Sequence, residues 1–136
     1  MKVIHLIPEF RKGGAERLCI DICHELKKRK IDFLLITLND FNLYGELTKH
    51  IDYQIVDINF KLSVFKKNKI DLEKLNNIVK KFSPDIIHSH LFVGEIISQS
   101  IDYKALRICH VHDDIKQLNK IKFSSFFSKK KSCKLL

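Results

Sequence analysis

The sequence predicts an α/β domain built on a doubly wound parallel sheet. Short apolar runs of strand length recur along the chain, several with too little polar alternation for a sheet with one wet face. Between them lie segments whose apolar residues return every three or four positions, the period of an amphipathic helix. The resulting order is strand, helix, strand, strand, helix, strand, helix, strand. That is the alternation which right-handed crossovers wind onto a single sheet.

Lys2–Ile7 (KVIHLI) is the first strand, closed by Pro8 and a glycine pair. From Ala15 the period changes, and Ala15, Leu18, Cys19, Ile22 and Leu26 mark the apolar face of a helix. Phe33–Leu38 (FLLITL) is the second strand. Residues 39–50 form a loop with room for one helical turn, and Tyr53–Ile58 (YQIVDI) is the third strand. After a lysine-rich connection, Asp71 is placed to cap a helix, with Ile70 and Leu75 as a hydrophobic staple. Leu72, Leu75, Val79 and Phe82 carry that helix to Pro84. Asp85–His90 (DIIHSH) is the fourth strand, Leu91–Ser100 a helix, and Leu106–His112 (LRICHVH) the fifth strand. No strand is expected beyond it. The domain is read as residues 1–115, and residues 116–136 as a basic, aromatic-containing helix or tail where the domain is cut short.

At 136 residues the chain fits one domain with a single core. Its net charge of +9 is uneven: seven lysines and no acid fall in residues 116–136, which leaves +2 for the rest. The body therefore asks for no polyanionic partner, and nucleic-acid binding is not expected. The apolar start is broken by Pro8, Glu9 and Arg11, too early for a secretory signal, and no run approaches the roughly 20 apolar residues of a membrane span. A cytoplasmic location is expected, with the phenylalanine- and lysine-bearing tail suited to peripheral contact at the inner membrane face. The four cysteines, Cys19, Cys23, Cys109 and Cys133, form no CxxC pair and read as buried or idle thiols.

Ligands of open α/β sheets bind outside the carboxyl ends of the strands, so the residues after each strand carry the functional reading. Phe10–Glu16 (FRKGGAE) follows the first. Gly13 and Gly14 open the helix, where unpaired N–H groups favour an anion; the same pair equally suits a tight turn with unusual backbone angles. His88 and His90 end the fourth strand two residues apart, hence on one face, with His90 expected at its lip. His110, His112, Asp113 and Asp114 end the fifth, with His112 at the strand's carboxyl edge, where an imidazole titrates near neutrality and can meet phosphate or a sugar hydroxyl.

Three segments in register carry a resemblance over residues 1–115. VIHLIPEFRKGGAERLCIDICHELKKR resembles the opening of family 4 retaining glycosyltransferases, with its GGAE loop. PDIIHSHLFVGEI is similar to that family's PDIIHxH segment, and RICHVHDD to the strand ending in its HxH motif. The resemblance implies a Rossmann-like sheet, the N-terminal, acceptor-side half of a GT-B fold, incomplete at its last strand. It implies that Gly13 and Gly14 lie against the phosphates of the donor. His112 would be the catalytic residue contacting donor sugar or phosphate. Glu16 would line the cleft or serve as a first-turn dipole partner, and His90 would line the acceptor side. The implied reaction moves a sugar, with retention, from a nucleotide diphosphate to a glycan or lipid-linked acceptor in surface polysaccharide or glycoconjugate synthesis. The nucleotide sugar is a substrate; no cofactor and no metal are expected. The family's donor-binding domain has no counterpart in the sequence, so this chain alone is expected to be inactive, and a separate donor-domain chain is one way to complete it.

Two other readings compete. The first is a non-catalytic partner subunit or membrane-surface binding module. The second is a metal-dependent hydrolase using His110, His112 and Asp114 as HxHxD. Ile115 stands where that signature continues with histidine, and none follows His112, so it would have to borrow His88 or His90.

Overall fold

A computed structural model describes residues 1–58 and 71–110, together with the backbone of residues 134–135. The strands are β1 (Lys2–Ile7), β2 (Asp32–Thr37), β3 (Tyr53–Ile55), β4 (Ile86–His90), β5 (Leu106–His110) and β6 (Lys134–Leu135); the helices are α1 (Gly14–Lys28), α2 (Gly45–Thr48), α3 (Glu73–Phe82) and α4 (Leu91–Ser100). All neighbouring strands run parallel in the order β3-β2-β1-β4-β5-β6. The expected doubly wound sheet is therefore present. One expectation is overturned: a strand does follow the fifth, since Lys134–Leu135 pairs with Ile108–Cys109 at the sheet edge. Two residues in a lysine-rich end give no alternation or apolar run by which a strand could be read. His112, and residues 116–133 of the expected tail, lie outside the described residues.

The central strands form because their side chains can be buried on both faces. Ile4, Leu6, Ile36 and Ile87 point to one side, where Leu75 and Val79 of α3 and Ile97 of α4 cover them. His5, Ile7 and Leu35 point to the other, and Cys19, Ile20 and Cys23 of α1 share that layer with Phe10 and Ile51. Gly94 lets α4 lie close to β1: a Cβ there would come within 3.1 Å of the Leu6 carbonyl oxygen. Arg107, 3% exposed on β5, closes the α4–β5 connection by donating to the carbonyls of Ser98, Ile101 and Tyr103 at 2.9–3.0 Å.

Several local readings are corrected. The buried face of α1 is Ala15, Glu16, Cys19, Ile20 and Cys23, whereas Leu18 is 37% exposed. The stripe is rotated because Glu16, polar and therefore assigned outward, folds inward over Gly13. Leu72 holds the N-cap position of α3, one residue after Asp71, although the Asp71 carboxylate still accepts the Glu73 N–H at 2.9 Å. The expected staple partner Ile70 lies outside the described residues. Of the cysteines, Cys19 and Cys23 are free and buried as expected, but Cys109 is disulfide-bonded.

Candidate functional site

The strand order reverses between β1 and β4: β2 and β3 extend to one side of β1, β5 and β6 to the other side of β4. At such a switch point the crossover helices leave toward opposite faces and open a crevice beyond the carboxyl ends of the strands. Here β1 leads into Gly13–Gly14 and α1, and β4 leads directly into α4. The predicted residues Gly13, Gly14, Glu16 and His90 thus belong to the two connections that flank the switch point.

The loop after β1 is held by the loop after β2. Phe10 donates its N–H to Phe41 O and accepts from Leu43 N, both at 2.9 Å, and its ring is fully buried. Tyr44 holds Gly13 from both sides: its hydroxyl accepts the Gly13 N–H at 3.2 Å and donates to the Gly13 carbonyl at 3.0 Å. Glu9 accepts from Asn39 at 3.0 Å and pairs with Arg11, whose guanidinium lies over the Phe41 ring. The sequence singles out none of these partners; its only signal is that residues 39–44 follow a strand's carboxyl end.

Gly13 is the N-cap of α1 with φ −158°, extended backbone open to any residue. No glycine among the described residues has positive φ, so the tight-turn reading of the pair fails. The requirement is spatial. A Cβ on Gly13 would come within 2.4 Å of a Glu16 carboxylate oxygen, because Glu16, 7% exposed, bends back over the helix start. Gly14 differs: a Cβ there would meet nothing within 4 Å, which leaves the approach to the first turn open. A carboxylate in the first turn also complements the helix dipole.

Beside this loop, on the same face as α1, four histidines converge. His5 of β1 is the register partner of His88, and His90 that of His110. Ring centroids are 4.2 Å apart for His88 and His90, 5.0 Å for His5 and His88, and 5.7 Å for His88 and His110. His5 Nδ1 lies 3.1 Å from His90 Nε2, a hydrogen bond in which one ring donates and the other accepts. Burial, and secondarily the neighbouring His88, lower the His5 pKa to about 3, so its ring is neutral at physiological pH. His90 is fully buried rather than at an exposed lip, while His88 and His110 are half-buried. The next residue, Leu91, begins α4 with φ 61°, a left-handed conformation unusual for a bulky side chain. Such strain concentrates where a fold holds functional groups in place.

Cys19 ties the two parts together, its sulfur lying within 4.8 Å of ring nitrogens of His5 and His90 one turn below Glu16. Contact with Cys23 and burial push its thiol well above the ordinary range, so it stays protonated. A groove of about 500 Å³ lined by Gln54, Asp71, Glu73, Lys74, Asn77 and Ile78 includes none of the predicted site residues. No helix among the described residues is long and apolar enough to cross a membrane.

Residues 12–131 match the family model described as Glycosyltransferase Family 4. Among curated proteins none matches the chain.

Proposed function

The chain belongs to glycosyltransferase family 4, and on that premise we propose that it is the acceptor-side half of a GT-B transferase. Its reaction moves a sugar, with retention, from a nucleotide diphosphate to a glycan or lipid-linked acceptor. The observation that carries the reading is the open first turn at Gly14, beside the β1/β4 switch point, in a chain of this family. As the bond from the anomeric carbon to the diphosphate breaks, negative charge gathers on phosphate. Fixed N–H groups at a helix start stabilise that charge without reorganising.

In this reading Gly14 admits the phosphates and Gly13 makes room for Glu16, which lines the cleft. His112 contacts donor sugar or phosphate. The burial of His90 turns its expected role into an indirect one: it supports the acceptor wall from beneath. The nucleotide is gripped by a donor-binding unit, in this chain or another, and without that unit no transfer occurs. The lysine-rich segment 116–136 supplies peripheral membrane contact to a lipid-linked acceptor.

The test is transfer from a panel of radiolabelled nucleotide sugars into a membrane extract, with and without a donor-binding unit. Transfer is expected only with that unit present, and Gly14→Val and His112→Ala should each lower kcat/KM at least about 30-fold, roughly 2 kcal/mol of transition-state stabilisation. Full activity in both variants would overturn the site. Liposome sedimentation with and without residues 116–136 tests the membrane contact; equal sedimentation removes it.

A further inference from the structure

We propose that His88, His90 and His110 form a binding site for one divalent d-block cation, of which zinc(II) is the representative, at the carboxyl ends of β4 and β5. One ring nitrogen of each lies within 4.8 Å of the others. Tetrahedral zinc with Zn–N bonds of about 2.0–2.1 Å sets its ligand nitrogens about 3.3 Å apart, so modest side-chain rotations complete the triad. Imidazole suits zinc, copper and nickel, and three histidines leave a fourth position for water or another ligand.

The framework is rigid where a metal site needs it to be. All three histidines stand on hydrogen-bonded parallel strands, with His90 and His110 in register and ring centroids 5.8 Å apart. His90 Nε2 faces His5 Nδ1 at 3.1 Å, which turns its Nδ1 to the metal. His5 then serves as the hydrogen-bonding partner that metal-ligating histidines have on their second nitrogen. A second grouping, His5, Cys19 and His90, also falls within 4.8 Å. There His5 and His90 are already engaged with each other through the 3.1 Å Nδ1–Nε2 hydrogen bond, which a metal between them would break and the triad leaves intact. The histidine triad is therefore the site. Bound metal would cross-brace β4 to β5 and, through His5, to β1 at the switch point. No step of sugar transfer runs through it.

The experiment uses the full chain, stripped of metal by chelation and titrated with zinc(II) by calorimetry and by NMR of the histidine rings. One equivalent is expected to bind, moving the signals of His88, His90 and His110 and leaving His24 and His50 in place. His110→Gln and His88→Gln should each weaken binding about 100-fold, and His5→Phe about 10-fold at unchanged stoichiometry. His24→Gln should change nothing. Absence of saturable binding, movement of His112 in place of the triad, or unchanged affinity in His110→Gln would each overturn the site. Because the wild-type ring signals identify the ligands directly, a variant that fails to fold leaves the decision with them.

Discussion

Arg107 offers the most direct test of how the α4–β5 connection is held. Its Nε donates to Ser98 O at 3.0 Å, and Nη2 donates to Ile101 O at 3.0 Å and Tyr103 O at 2.9 Å. Hydrogen bonds to a charged group are each worth about 1.5–3 kcal/mol, so a bare sum approaches roughly 5–9 kcal/mol. The sum overstates the case, because burying the guanidinium carries a cost that also lowers its pKa. Replacing Arg107 with methionine keeps most of the volume but removes a donor from all three carbonyls, of which Ser98 O and Ile101 O keep a backbone N–H. We expect a loss of about 3 kcal/mol, near the lower end for breaking buried charged interactions. Urea denaturation at neutral pH measures it. With a slope of about 2 kcal/mol/M, the midpoint should fall by about 1.5 M. Hydrogen exchange should localise the effect, with the Ile101 and Tyr103 amides, which bond Ser98 O and Ile101 O, losing protection before those of β1. A midpoint within about 0.3 M of wild type would refute the reasoning, since m-values and errors of extrapolation span that much.

Gly94 should discriminate by size. Alanine gains about 1 kcal/mol of helix propensity but brings its Cβ within 3.1 Å of the Leu6 carbonyl, so Gly94→Ala is expected near neutral by thermal denaturation. Gly94→Val cannot be absorbed by a central strand and should cost about 3 kcal/mol; equal stability of the two would show that α4 is free to move outward. His5 predicts acid sensitivity in the metal-free protein. Its folded pKa of about 3 lies below the 6.5 of an unperturbed histidine, so below pH 6.5 the unfolded state takes up a proton the folded state refuses. Stability from this group is full above pH 6.5, declines as pH falls, and is exhausted near the folded pKa; between pH 7 and 5 the loss is about 2 kcal/mol. Denaturation of wild type and His5→Phe at both pH values isolates the term, and parallel losses would exclude it.

Strands β1 and β2 are legible because their near-continuous apolar runs have no comfortable alternative to a sheet covered on both faces, and β4 and β5 because short isoleucine-bearing runs of strand length follow α3 and α4. The phase of α1 is not. Leu18 and Ile22 look like core beside Glu16, and only the missing Cβ of Gly13 explains why the glutamate turns inward. The same locality limits the site. The two-residue spacing of His88 and His90 places them on one face, but the alignment of His5 with His88 and of His90 with His110 is a matter of register between distant segments. Tyr44 is hidden for the same reason, being 31 residues from the glycine it clamps. Arg107, in a mostly apolar strand, gives no sign of its three carbonyl partners.

The groove of about 500 Å³ beside α3 and the histidine-bearing switch point are different places. The groove beside α3 is lined by Gln54, Asp71, Glu73, Lys74, Asn77 and Ile78, with no buried titratable group and no strained backbone among them. At the switch point the chain instead accumulates buried polar groups and strained backbone. It buries Glu16, gathers His5, His88, His90 and His110 on one face, holds His5 neutral, and starts α4 with Leu91 in a left-handed conformation next to His90. Together they lie where two helix starts and three strand ends meet. A sheet selected only to fold would fill those positions as it fills its other face, with isoleucine, leucine and valine. The apolar face holds the domain together, and the histidine-bearing face is where its chemistry is to be sought.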